Sequence, residues 1–174
     1  MLKNNTEIYV LFRVLVGLLF FFHGAQKVFV VDDSKLAYYN TDGYTKVISS
    51  LLKEHQPATF LTGTTFNGKD LTPRIAAKLD AGAVSDVTDF DCDGDGRISA
   101  TRPIYAGKAF SQVTFSGFPQ IVEVRSNAMP VKAPDTSKAA EIINVPSNLQ
   151  DNDIRTKIKE VKVSSGDKIE LTEA

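Results

Sequence analysis

The sequence predicts an α+β protein: a single N-terminal transmembrane (or filament-core) helix followed by one soluble domain, helical first and β-rich later. Three observations lead there. Ile8 to Val31 holds the longest apolar run of the 174-residue chain, with Arg13 the one charge between Ile8 and Phe22. The 143 residues after Val31 are of mixed polarity and numerous enough to build one domain with its own core. Amphipathic helical spacing precedes Gly82, whereas β-like runs follow Arg97.

Charge and cysteine content narrow the classes. The net charge is -1; residues 1–31 carry Lys3, Arg13 and Lys27 against Glu7, so the remainder is acidic. That lacks the clustered basic excess of a nucleic-acid binder. Cys92 is the one cysteine, which excludes an internal disulfide and a CxxC site.

Residues 1–7 read as a short tail and 8–31 as the hydrophobic helix. Its 24 residues would rise about 36 Å, enough to cross a hydrocarbon core of roughly 30 Å. Arg13 and Lys27 would snorkel toward opposite headgroups. A cleaved signal peptide is the rival reading, with His23-Gly24-Ala25 as its best small-residue site. Lys3 and Arg13 favour a cytoplasmic N-terminus, which places an α+β domain of residues 32–174 outside the cytoplasm. The segment Phe12-Arg13-Val14-Leu15-Val16-Gly17-Leu18-Leu19-Phe20-Phe21-Phe22-His23-Gly24-Ala25-Gln26-Lys27 resembles the first transmembrane helix of the DoxX family, membrane proteins linked to redox and sulfur metabolism. The resemblance implies a related helix packing, with Gly17 and Gly24 on the contact face. No second apolar run of spanning length follows.

Asp32 to Gly43 is polar and turn-rich. Tyr44, Val47, Ile48, Leu51 and Leu52 then follow the spacing of an amphipathic helix, with Asp42 near its start and His55 near its end. A Thr-, Gly- and Asn-rich loop spans Thr62 to Lys69. Thr72-Pro73 supplies an N-cap and first-turn proline for a helix from Pro73 to Ala81, stopped at Gly82. Val113 to Phe118 and Gln120 to Arg125 are strand-like, Ser137 to Ile143 reads as a short helix, and Thr156 to Val163 with Lys168 to Thr172 reads as a hairpin.

The strongest chemical motif is Asp89-Phe90-Asp91-Cys92-Asp93-Gly94-Asp95-Gly96-Arg97-Ile98-Ser99. From Asp91, carboxylates fall at positions one, three and five, Gly96 at six and the Arg97 carbonyl at seven. The order resembles EF-hand and dockerin calcium loops, in which alternate side chains converge on one hard cation. Position twelve of the loop 91–102 holds Arg102 where a bidentate Glu is expected, so Asp86, Asp89, Ser99, a distant residue or water would complete the shell. The candidate ligands are thus Asp91, Asp93, Asp95, Arg97, Asp89 and Ser99, with calcium as a structural cofactor. An Asp-Gly turn held by Asx hydrogen bonds is the alternative, disfavoured by repulsion among closely spaced carboxylates.

No phosphate loop, dinucleotide fingerprint or serine elbow occurs, and His23 and His55 lie in no catalytic motif. The expected function is therefore a non-catalytic, membrane-anchored accessory subunit with a calcium-stabilised extracytoplasmic domain. It would meet protein partners, or itself, through the N-terminal helix. Two alternatives stand beside it: an extracellular filament subunit resembling type IV pilins and pseudopilins in layout, and a DoxX-related component of a membrane redox complex.

Overall fold

Where the N-terminal apolar stretch is described, it is strand. The computed structural model describes residues 16–18, 27–130, 141–156 and 158–160. β1 (Val16–Leu18) and β2 (Lys27–Val30) pair antiparallel, Val16 opposite Phe29 and Leu18 opposite Lys27. β2 pairs in parallel with β9 (Glu141–Asn144) on its other edge. This corrects the expected helix over 8–31, and among the described residues no helix is long and apolar enough to cross a membrane. Residues 1–15 and 19–26, with most of the DoxX-like segment, lie outside the described residues.

The physical reason is burial on both faces. Phe29 and Val31 pack against Leu36, Val47, Leu51 and Leu149, while Val28 and Val30 are half-buried. A strand covered on both sides loses its alternation and reads as a continuous apolar run, which periodicity cannot tell from a helix.

α1 (Thr41–His55) begins where Asn40 accepts a hydrogen bond from Gly43 N at 2.8 Å and ends at Gln56, in the left-handed region at φ 44. Its apolar positions divide between two cores. Val47 and Leu51 face the β2 cluster, whereas Ile48 and Leu52 join Phe60, Ile75, Ala76 and Ile121. Each such buried aliphatic side chain stabilises the fold by roughly 1.5–3 kcal/mol.

β3 (Thr59–Gly63) leads into α2 (Phe66–Leu79). The expected start at Thr72-Pro73 is corrected: Thr65 is the N-cap, accepting from Gly68 N at 3.0 Å, and Pro73 lies inside the helix. The hydroxyl cap and the small Gly68 permit the earlier start, and Pro73 costs one helical hydrogen bond rather than the helix.

The central sheet is parallel, in the order β3, β8 (Gln120–Val124), β4 (Ala83–Val87). β8 is buried on both faces, Ile121 toward the helices and Val122 toward Val84, Val87, Ile98 and Ala100. The chain leaves β4 for an antiparallel sheet of β5 (Asp89–Cys92), β6 (Ile98–Ile104) and β7 (Ala109–Thr114). Thr88 N bonded to Thr101 O at 2.9 Å stitches the end of β4 to β6.

The C-terminal part departs furthest from expectation. Residues 141–143 are strand rather than helix, because they complete the sheet on β2. The segment 147–155 is fastened down by charge: Lys46 to Asp153 at 2.5 Å, Arg155 to Asp42 at 2.6 Å and Lys35 to Asp151 at 2.7 Å. A polar 3-10 turn at Asp151–Asp153 occupies this segment, and residues 154–156 and 158–160 are irregular. The expected strand 168–172 lies outside the described residues.

Candidate functional site at the carboxyl edge of the parallel sheet

The acidic motif forms no metal cage. β5 and β6 are the arms of a hairpin, with Asp89 opposite Thr101 and Asp91 opposite Ser99. Asp89 and Asp91 share one strand face about 7 Å apart along the chain, so their carboxylates stand side by side in solvent instead of converging. The Asp93 carboxylate is used by the turn itself, accepting from Asp95 N at 3.0 Å and Arg97 N at 2.8 Å. Gly96, at φ 76, closes the turn.

The carbonyl oxygens are engaged as well. Gln120, fully buried, donates from Nε2 to Gly96 O at 2.7 Å and accepts from Ile98 N at 2.8 Å. The Arg97 guanidinium lies 5.8 Å from the centre of the Phe118 ring, and Arg97 O accepts from Asp93 N. Among the described residues no group of three or more His, Cys, Asp or Glu side chains could hold a metal ion. The Asx turn accounts for the motif, and the calcium reading is corrected. Cys92 is exposed at the end of β5. Asp86 and Arg102, earlier a reserve ligand and a mismatch, belong to a different site.

That site follows from the sheet. Parallel strands all end on the same side, and the loops leaving those ends form the usual ligand-facing or partner-facing crevice of α/β folds. At the end of β3, Thr64 N bonds Val124 O at 2.8 Å, and the chain turns through Thr65 into the N-terminus of α2. Gly68 is required by close approach, since a Cβ there would sit 2.0 Å from Gly63 O. At the end of β8, Arg125 N bonds Val87 O at 2.8 Å. At the end of β4, a register shift puts Asp86 in the left-handed region at φ 63.

The shift aims Asp86 at Arg125. The guanidinium holds it through two parallel hydrogen bonds, Nε to Oδ1 at 2.8 Å and Nη2 to Oδ2 at 2.7 Å. The Arg125 hydrogen bonds outweigh partial burial and hold the Asp86 carboxyl below its ordinary range, with help from the charges of Arg125, Arg102 and Lys69. Arg125, Arg102 and Lys69 thus all act on the Asp86 carboxylate. Arg102, on β6 opposite Ser111, has its Nε shielded from solvent with no hydrogen-bond partner among the described residues. Thr64 Oγ1 and an oxygen of Glu123, which is 1% exposed, are also unpartnered there.

The β6–β7 hairpin forms the wall of the site. Its tip passes through Tyr105, Ala106 and Gly107 at φ 51, 53 and 83, closed by Gly107 N to Ile104 O at 3.1 Å. Tyr105 is 79% exposed. Asp86, Arg102, Tyr105 and Arg125 line a groove of about 430 Å³ beneath the tip. A second groove of about 340 Å³ lies under the 147–155 segment, lined by Asp42, Lys46, Arg74, Lys78 and Arg155 among others.

Sequence reasoning noted Thr62 to Lys69 only as a loop and Arg102 only as a defect in a calcium pattern. The available signal was a Gly- and Thr-rich turn between an apolar run and a helix.

The chain matches the family model described as the electron transfer flavoprotein domain over residues 21–149. It is 37% identical to the electron transfer flavoprotein subunit alpha of Bacillus subtilis over 152 residues, covering 87% of this chain and 46% of the relative. The corresponding figures for the Clostridium acetobutylicum alpha subunit are 39% over 157 residues, with the same coverage. Protein FixB of Bradyrhizobium diazoefficiens is 35% identical over 139 residues, 79% of this chain and 38% of FixB. The chain therefore spans about half the length, or less, of the curated relatives it matches. The match begins inside the supposed membrane helix and runs through the supposed calcium loop. It overturns the DoxX, EF-hand and dockerin resemblances, and with them the membrane-anchored, filament and extracytoplasmic readings. The chain belongs to the electron transfer flavoprotein domain family.

Proposed function

We propose that this chain is the α/β domain of an alpha-type electron transfer flavoprotein subunit, and that its part is to dock a beta-type subunit in an assembly that passes electrons through a flavin. The observation that carries the reading is the 37% identity to an alpha subunit over 87% of the chain. The geometry supports a docking role. Phe66, Tyr105 and Phe110 are large apolar side chains left more than two-thirds exposed, and Arg102 at the carboxyl edge makes no hydrogen bond among the described residues. Single exposed apolar residues are ordinary, but aromatics beside unpaired cations are what partner-facing surfaces carry.

The described residues do not fit a flavin ring system. A fused three-ring group needs a deep, mainly apolar slot. Both grooves are open rather than deep; charged side chains dominate the one under 147–155, and Asp86, Arg102 and Arg125 stand in the other, so no redox step is assigned to this chain's own residues. Flavin binding is taken as a property of the assembled flavoprotein.

Co-expression of the full chain with the beta-type subunit of the same genome, followed by size-exclusion chromatography, tests the reading. The expected result is one co-eluting species, and a chain that emerges colourless when purified alone. Separate elution of the two polypeptides overturns the docking role. Stoichiometric flavin on the isolated chain overturns the assignment of the cofactor to the assembly.

A further inference from the structure

We infer that the groove beneath the β6–β7 tip is the receptor for an acidic segment of the beta-type subunit, which places a carboxylate on Arg102 while Tyr105 packs against its apolar flank. The inference rests on the function proposed above and specifies where and by what chemistry that contact is made.

Charge bookkeeping around Asp86 identifies what is missing. Asp86 has two carboxylate oxygens, and Arg125 takes both. Lys69 and Arg102 act on the same carboxylate only through space, and Arg102 makes no hydrogen bond among the described residues. Arg102 lines the groove, and no hydrogen bond among the described residues pairs its guanidinium with a carboxylate. An incoming carboxylate supplies the neutralising charge, in the planar geometry that arginine matches best.

The aromatic neighbour makes the occupant a polypeptide segment rather than a free anion. Tyr105, 79% exposed, lines the groove with apolar surface that a small inorganic anion would leave in water. The backbone is held for this purpose. Asp86, Tyr105 and Ala106 adopt left-handed conformations at φ 63, 51 and 53. Such non-glycine conformations are unfavourable and persist where surrounding structure over-determines them, commonly at binding sites. Here they aim the Asp86 carboxylate at Arg125 and hold the Tyr105 side chain exposed at the tip.

The test measures binding of the beta-type subunit to the wild-type chain, to Arg102→Gln and to Tyr105→Ser by titration calorimetry, with thermal melts verifying that each variant is folded. Arg102→Gln should weaken binding by at least about tenfold and flatten its dependence on ionic strength. Tyr105→Ser alters an exposed tip, so it stays folded whatever happens to Arg102→Gln, and should weaken binding about fivefold or more. Wild-type affinity in both variants overturns the groove assignment and leaves the docking role standing. No binding by the wild-type chain overturns the docking role and this inference with it. Full displacement of the beta-type subunit by millimolar inorganic phosphate would show a simple anion site and reject the peptide segment.

Discussion

Gly68→Ala should destabilise the protein by roughly 2–3 kcal/mol although it replaces a glycine in a helix with the best helix former. The first turn of α2 lies so close to the end of β3 that a Cβ at this position would sit 2.0 Å from Gly63 O, with Gly63 C and Thr62 Oγ1 at 3.2 Å. Ordinary contact begins near 3.4 Å, so helix and strand must separate by more than 1 Å. The obstacle is backbone and cannot rotate away. Overpacking of this kind costs about 1–3 kcal/mol, and disturbing the Thr65 cap adds about 1. The gain in helix propensity offsets up to about 1 kcal/mol. For a chain of this size the result is a fall in Tm of about 5–10 °C. Circular dichroism melts measure it, with Gly94→Ala as control because a Cβ there meets nothing within 4 Å. A Gly68→Ala melting point within a degree of wild type would refute the close packing that positions the carboxyl edge.

Three further outcomes follow from the same geometry. Gln120→Leu should cost about 2–4 kcal/mol, because Gly96 O and the buried Ile98 N–H both lose their partner; a urea midpoint unchanged from wild type would contradict it. Asp93→Ala should lower stability by about 1 kcal/mol through loss of the Asx turn. That loss should be identical in calcium and in chelator, whereas a calcium-dependent melting temperature would restore the metal reading. Asp33, Asp42, Asp70, Asp86 and Asp153 all have folded pKa values held below 3.8, chiefly by hydrogen bonds from Ser147, Arg155, Thr41, Arg125 and Lys46 respectively. Lowered carboxylates contribute stability that is complete above the unfolded value and is lost as pH falls through the folded values. Urea midpoints should therefore be flat down to about pH 5 and fall steeply below about pH 4; a midpoint independent of pH in that range would deny these pairs any role in the fold.

Local chemistry was legible in the sequence wherever it acted within a few residues. The i, i+3, i+4 spacing of Val47, Ile48, Leu51 and Leu52 marks α1, because one helix face must be apolar whatever covers it. The β-branched run at Ile121, Val122 and Val124 marks β8 for the same reason. The Asp-Gly turn was named among the alternatives for residues 93–96, but repulsion between carboxylates outweighed it in that reading. In the fold, Asp93 is held by backbone N–H groups while its neighbours stand apart in solvent, which removes the repulsion that favoured a cation.

What only the tertiary structure decided is the pairing of distant segments. Lys27 to Val30 is strand because β9, more than a hundred residues later, and the α1 face cover it; the same letters in lipid would be helix. The carboxyl edge likewise exists only once β3, β8 and β4 lie side by side, bringing Thr64, Arg125 and Asp86 into one row and adding Arg102 through the Thr88–Thr101 link. By itself the sequence determined the helix faces, the turn chemistry and the absence of familiar catalytic motifs, all set by nearest neighbours along the chain. Long-range strand pairing decided which apolar run is buried in protein and which arginine lacks a partner among the described residues, because those depend on what each surface meets.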